Sequence, residues 1–253
     1  MLSIHFVTLF PEMVLPACGH SILARAVAAG AVQFDAVNPR DFATDPHRTV
    51  DDRPFGGGPG MVMKCEPLDA ALRSLPEVEG REILFFEPWG DPFTQEIVPT
   101  LAASPDLVLV CGHYEGIDQR IQEKWATRIL SLGDFVLTGG ELPALVIADA
   151  VTRTLPGVLG DPESLEADSF AGEGLLGYPQ YTRPREFEGR AVPDVLLSGD
   201  HGAIEKWRRG EQFRATLKRD PDKVHQVALS KSDRNLLNSL LASLPTERRP
   251  DSL

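Results

Sequence analysis

Basic residues are scarce in this sequence: 25 Lys and Arg stand against 37 Asp and Glu in 253 residues, a formal net charge of −12. That deficit argues against a protein that nucleic acid coats over its whole surface. Cysteine is rarer still. Cys18, Cys65 and Cys111 are odd in number and share no CxxC spacing, which speaks against a disulfide framework and a Cys-based zinc site. Long apolar runs are also missing, and none approaches the roughly 18 residues that span a bilayer. The opening MLSIHFVTLF has neither a basic n-region nor a small-residue cleavage pattern, so it reads as a first strand rather than a signal peptide. These absences together point to a cytoplasmic protein with reduced thiols and no membrane attachment. Neither GxxxxGK[ST] nor GxGxxG occurs, and there is no internal repeat or low-complexity tract.

What is present is ordinary globular material, 42% hydrophobic and 25% charged, long enough for one large domain or two small ones. Up to about Pro156 short apolar runs alternate with helical patterns. Strands are expected at Ile4–Phe10, Val32–Val37, Ile83–Glu87, Leu107–Cys111 and Ile129–Leu132. Helices are expected around Ser21–Ala29, Pro67–Leu75, Thr94–Leu101, Ile117–Lys124 and Leu142–Leu155. This rhythm predicts an α/β fold with a parallel sheet and ligand sites at the carboxyl ends of the strands. From Pro156 to Gly189 the texture changes to Gly, Pro and acidic residues with little periodicity, which suggests a linker, a lid or both. Beyond it, Ser198-Gly199-Asp200 is a plausible helix start and Pro221 a stop, as in a small helical module.

The charge is unevenly spread. From Phe170 to Leu253 there are 14 Lys and Arg against 12 Asp and Glu, a net of +2, while the preceding residues carry −14. Within this part, Ile204–Arg219 holds six basic residues and two acidic ones. Lys206, Arg208, Arg209, Arg214, Lys218 and Arg219 are either a phosphate-binding face or a solvated helix face, and charge alone does not decide.

Three loops that follow strands could meet in one crevice: Phe85-Phe86-Glu87-Pro88-Trp89-Gly90, Cys111-Gly112-His113-Tyr114-Glu115-Gly116, and Leu132-Gly133-Asp134 running on to Thr138-Gly139-Gly140-Glu141. The last of them is a Gly-rich turn into a helix, usually a phosphate cradle. Yet neither Lys nor Arg lies between Ser131 and Val146, and Asp134 and Glu141 flank the turn. Backbone amides, rings and carboxylates suit an adenosine with a cationic or zwitterionic tail, and S-adenosylmethionine answers that description. The same glycines also serve tight strand-to-helix turns and nothing more. A fourth loop, HRTVDDRPFGGGPGMVM, lets backbone approach a ligand or another chain closely, with Asp51, Asp52 and Arg53 able to read a base edge. It reads equally as a mobile loop with a self-paired Asp and Arg. Asp168 in an acidic stretch and Arg153 near a helix end are likewise open to bland readings.

The pieces LFPEM, NPRDF, HRTVDDRPFGGGPGM, VCGHYEGIDQR, GDFVLTGGELPA, PGVLG, DSF, YTRP and VLLSG occur in this order. Together, from about Ile4 to Arg219, the chain resembles the TrmD family, bacterial tRNA (guanine-N1)-methyltransferases of the SPOUT class. The resemblance implies a SPOUT-type parallel sheet with a deep C-terminal trefoil knot, followed by a small α-helical domain. The implied organisation is a cofactor-binding and catalytic domain over 1–158, a flexible linker or lid over 159–176, and a helical tRNA-binding domain over 177–253. It also implies an obligate homodimer with active sites at the subunit interface, S-adenosylmethionine as donor, Mg²⁺ for transfer, and as substrate the guanine just 3′ of the anticodon at tRNA position 37, a modification that supports reading-frame maintenance.

Carried over position by position, the donor pocket would comprise Phe85, Phe86, Glu87 and Pro88, then Gly112, Tyr114 and Glu115. Leu132, Gly133, Asp134, Phe135, Val136 and Leu137 would follow, with Gly139, Gly140 and Pro143 completing it. Asp168 matches the family's general base and Arg153 its partner. Asp51, Gly60 and Ser169 match positions near the substrate, and Lys206, Arg208, Arg209, Arg214 and Lys218 are the expected tRNA contacts. Glu87, Trp89 and His113 depart from residues common in relatives, Ser, Gln and Arg respectively.

Overall fold

In a computed structural model of the chain, which describes residues 1–160, 165 and 168–243, the first unit is built around parallel strands. The strands are β1 (Leu2–Val7), β2 (Val32–Val37), β3 (Asp51–Asp52), β4 (Val62–Met63), β5 (Glu82–Pro92), β6 (Asp106–Val110) and β7 (Arg128–Ser131). Its helices are α1 (Pro11–Cys18), α2 (Ser21–Ala28), α3 (Cys65–Ser74), α4 (Val98–Ala103), α5 (Gln119–Trp125) and α6 (Glu141–Thr152). The main sheet has the order β2-β1-β6-β5-β7, with every neighbouring pair parallel. All five residues of β6 are buried, as expected of a central strand covered on both faces.

Alternation along the strands divides the core in two. Ile4, Phe6, Leu84, Leu107 and Leu109 pack with Val14, Ala26, Leu101, Ile147 and Val151 from α1, α2, α4 and α6. The intervening residues Val7, Phe85, Val108 and Val110 pack with Leu68, Leu72 and Ile121 from α3 and α5. The result is a sheet between two helical layers, so the loops at the carboxyl ends of β5, β6 and β7 are fixed by rigid elements on both sides.

Several expectations need correction at their edges. β1 begins at Leu2 and ends at Val7, and the residues after it start a helix that was not expected, α1. Pro11 at its first position fits, since that N–H has no helical acceptor. β5 runs on to Pro92 because its pairing with β7 slips between Phe86 and Asp91 and then resumes. β3 and β4 form a two-strand ladder inside the Gly-rich segment, too short to leave an alternation in the sequence.

The chain divides into two compact units, Met1–Gly160 and Asp161–Leu253. The second contains the hairpin of β8 (Glu186–Phe187) and β9 (Arg190–Ala191), and helices α7 (His201–Arg219), α8 (Pro221–His225) and α9 (Lys231–Ser243). The Asp200 side chain accepts from Ala203 N at the start of α7, a standard N-cap. The unit has its own core of Leu175, Phe213, Val224, Val227, Leu237, Leu240 and Leu241. Residues 161–164, 166 and 167 of the expected linker, and 244–253 of the expected tRNA-binding domain, lie outside the described residues.

On the surface of the first unit, Asp69 ties α3 to α5. Partial burial opposes its ionisation, but hydrogen bonds from Lys124, Arg73 and Trp125 outweigh that and hold its carboxyl down at about 2. A depressed carboxyl stabilises the fold above its ordinary value and loses that contribution as pH falls through the folded value. The stability gap between wild type and Asp69→Asn, read by chemical denaturation, should therefore be full above pH 3.8 and close as pH falls to about 2. An unchanged gap across that range would contradict the assignment.

Candidate functional site

The carboxyl ends of β5, β6 and β7 and the start of α6 enclose one concavity. Phe86, Glu87 and Pro88 line it from the first loop, Gly112 to Gly116 from the second, and Leu130 to Gly133 from the third. Phe135 to Gly140 and Pro143 close it. All the expected donor-pocket residues line it except two. Phe85 is fully buried in the core between the sheet and α3, because its side chain points to the opposite face from Phe86. Asp134 is exposed and is not part of the lining.

The glycines of the turn have separate tasks. A Cβ on Gly140 would lie 2.6 Å from Cys111 Cα and 3.0 Å from Gly112 N, and Gly140 N donates to Gly112 O at 2.9 Å. Here two backbones meet with no room for a side chain. A Cβ on Gly139 would instead collide with the His113 ring and the Glu141 carboxylate. Gly133 has φ 143°, which any other residue would adopt only with strain.

Glu141 was expected to offer its charge to a ligand. The structure gives it another role: it is only 2% exposed, with Thr8 Oγ1 donating to Oε1 at 2.6 Å and His113 Nε2 lying 2.7 Å from Oε2. Thr8 in turn accepts from Phe10 N at 2.9 Å. A buried carboxylate is tolerable only when its lone pairs are occupied in this way. Thr8 carried no signal in the sequence, since it lies 133 residues from its partner.

The carboxylates left on the lining are Glu87 and Glu115. Burial pushes the Glu87 carboxyl up, and the Gln122 amide donating to it pulls it partly back. Among the described residues no Lys or Arg lines the concavity, and its walls at Phe135, Val136 and Leu137 are exposed apolar surface. Such a site accepts a flat apolar group with a positive centre and repels phosphates. Gly116 and Thr138, from the loops expected to meet here, also line it, as do Leu130 and Ser131, which sequence reading did not select.

The Gly-rich fourth loop lies against the second. Glu115 N donates to Met61 O and Met63 N to Gly116 O, both at 2.9 Å, and Gly60 leaves no room for a Cβ beside the Glu115 side chain. Arg53, Pro54, Gly57, Gly58, Gly60 and Met61 form a shallow hollow there. Asp51 sits in β3, paired with Met63, and does not line that hollow. Arg153 caps the end of α6, its N–H donating to Asp149 O.

A sequence model of the family described as tRNA (Guanine-1)-methyltransferase TrmD matches residues 2–226. The chain belongs to this family. Among TrmD-family relatives, the tRNA (guanine-N(1)-)-methyltransferase of Dictyoglomus turgidum is 50% identical over 247 residues, covering 98% of this chain and all of the relative. That of Pelotomaculum thermopropionicum is 50% identical over 246 residues, with 96% and 98% covered. The one from Gloeobacter violaceus is 52% identical over 222 residues, with 87% and 97% covered.

As a TrmD-family member the chain is a methyltransferase, and its remaining expected site residues lie in the second unit. Asp168 and Ser169 begin a tight loop there, in which Gly177 N donates to Ser169 Oγ at 2.8 Å. Lys206, Arg208, Arg214 and Lys218 are exposed on α7. Arg208 also lies 5.0 Å over the Tyr178 ring and Arg214 pairs with Glu211. Arg209 differs from these. Glu173 and Asp233 hold it at 2.6 and 3.0 Å, and its guanidinium lies over the Phe213 ring, so it serves the unit's own packing rather than an external phosphate.

Gly140→Ala should force the β6 end and the α6 start apart, costing about 1–3 kcal/mol, the usual cost of overpacking a tight site. Thermal unfolding of the variant checks this. A midpoint equal to wild type would show that the two backbones can separate without cost.

Proposed function

We propose that this chain transfers a methyl group from S-adenosylmethionine to N1 of the guanine just 3′ of the anticodon, tRNA position 37. The observation that carries the reading is the concavity of the first unit, with apolar walls, Glu87 and Glu115 on its lining and, among the described residues, no Lys or Arg. That composition fits a donor whose sulfonium and amine are positive and whose adenine is flat. When bound, the donor supplies an electrophilic methyl group. Phe86 to Pro88, Gly112 to Glu115, Leu132, Gly133 and Phe135 to Leu137 would hold it.

Guanine N1 carries a proton and is a poor nucleophile until it is removed. In our reading Asp168 takes that proton, a role usually contributing roughly 10²–10⁴-fold. Arg153 stabilises the negative charge that then develops on O6. The basic residues of α7, less Arg209, meet the tRNA backbone, and the modified tRNA helps to maintain the reading frame in the cytoplasm. We further propose that the first unit is threaded as a deep trefoil knot, and that two copies pair with composite sites at their interface. Exposed Leu142 and Val146 on α6 and Met13 on α1 support the pairing, since apolar surface of this kind on neighbouring helices commonly marks an interface.

A Mg²⁺ requirement is part of the family resemblance. Among the described residues, however, no three His, Cys, Asp or Glu side chains gather to hold a metal.

The direct test is transfer of labelled methyl to an unmodified tRNA transcript and to one with adenine at the target position. Transfer to the first alone, strongly reduced by Asp168→Asn in single turnover, is expected. Equal transfer to both, or a variant within a few-fold of wild type, would refute the target or the base respectively.

A further inference from the structure

The stretch that carries Asp168 is Gly-rich and acidic and reads as a free segment, yet the second unit holds residues 168–177 at several points. Leu175 is 4% exposed within the unit's core beside Phe213 and Leu237. Leu176 N donates to Thr216 Oγ1 of α7 at 3.0 Å. Glu173 Oε2 accepts from Arg209 Nη2 at 2.6 Å. The Phe170 ring lies 5.3 Å from the Arg219 guanidinium and 5.1 Å from the Lys223 ammonium, within the range of cation–π attraction.

The loop is also closed on itself. Phe170 N donates to Leu175 O at 2.7 Å and Ala171 N to Asp168 O at 3.3 Å. Phe170 has φ 67°, a left-handed conformation that a bulky residue keeps only where its surroundings impose it. The two cations over its ring and the Glu173–Arg209 pair are such surroundings.

We propose that Glu173 and Phe170 are positioning residues for Asp168. Glu173, through Arg209, and Phe170, through Arg219 and Lys223, fix the turn on which the carboxylate sits, so that α7 and α8 present it as part of one rigid piece. The proposal rests on the reading of Asp168 as general base. Arg209 has a second partner in Asp233, so the tie between α7 and α9 survives when Glu173 is removed. Glu173 is partly exposed, and a pair of this kind contributes little to stability. Its effect on a reacting group is larger, because a misplacement of about 1 Å can cost about 10²-fold in rate.

The experiment is single-turnover methyl transfer to unmodified tRNA transcript at saturating S-adenosylmethionine. It uses the full chain and the variants Glu173→Gln, Phe170→Leu, Phe170→Tyr and Asp168→Asn, with thermal midpoints and tRNA affinities measured beside the rates. Glu173→Gln and Phe170→Leu should fall by about 10- to 100-fold with midpoint and tRNA affinity unchanged, while Phe170→Tyr, which keeps the ring, should retain the rate. Wild-type rates for Glu173→Gln and Phe170→Leu beside an impaired Asp168→Asn would overturn the positioning claim and leave the base in place. An unimpaired Asp168→Asn would remove the base reading, and this proposal with it. A loss of activity matched by a loss of thermal midpoint would reassign both residues to stability and equally overturn it.

Discussion

The first unit depends on one close approach of backbone to backbone, where Gly140 meets Cys111 and Gly112. Its N–H bonds to Gly112 O, and a Cβ would fall 2.6 Å from Cys111 Cα. This contact docks the start of α6 against the end of the central strand β6. It sets two parts of the concavity's wall: the second loop hangs from β6, and the segment Phe135–Gly140 arches over the space between β7 and α6. Burial of β6 on both faces supplies the rigidity that the contact exploits.

The charge pattern of the site follows from that packing. Helix α6 begins with an acidic residue, and the tight approach at Gly140 drives its side chain inward. The buried carboxylate of Glu141 is then satisfied by Thr8 from the end of β1 and by His113 from the second loop. One side chain thus links three elements and leaves none of its charge for a ligand. What faces the concavity is instead apolar surface, backbone groups, Glu87 and Glu115. Family membership and this composition converge on one chemistry, a methyl donor with a positive centre.

Much of the fold was legible because burial on two faces leaves apolar runs that need no alternation, as at Leu107–Val110, and helices α2 and α3 kept a clear periodicity, while α6 was marked by a long run of helix-forming apolar residues. The features that escaped are those set by tertiary contact. Helix α1 was hidden by Pro11 and Pro16, which look like breaks in a strand although Pro11 is welcome at a helix start. The extension of β5 through Pro92 depends on pairing with β7, a partner about forty residues away. In the site, the loops announced themselves through Gly placement, but the inward turn of Glu141 and the side of the sheet that Phe85 faces depend on packing. The same holds for Arg209. Its place in a basic run suggested an outward charge, and only the positions of Glu173 and Asp233 turn it inward.

The central claim is that the arch over β5, β6 and β7 is the donor site and that Gly139 leaves room for the His113 ring on its lining. Titration of S-adenosylmethionine by calorimetry, into wild type and Gly139→Ala, tests it most directly. A methyl there meets the His113 ring and the Glu141 carboxylate rather than backbone, so circular dichroism is recorded beside the titration to confirm that the variant is folded. The account predicts binding to wild type and its loss or marked weakening in the folded variant. Equal affinity for both, or no binding to wild type, would contradict it.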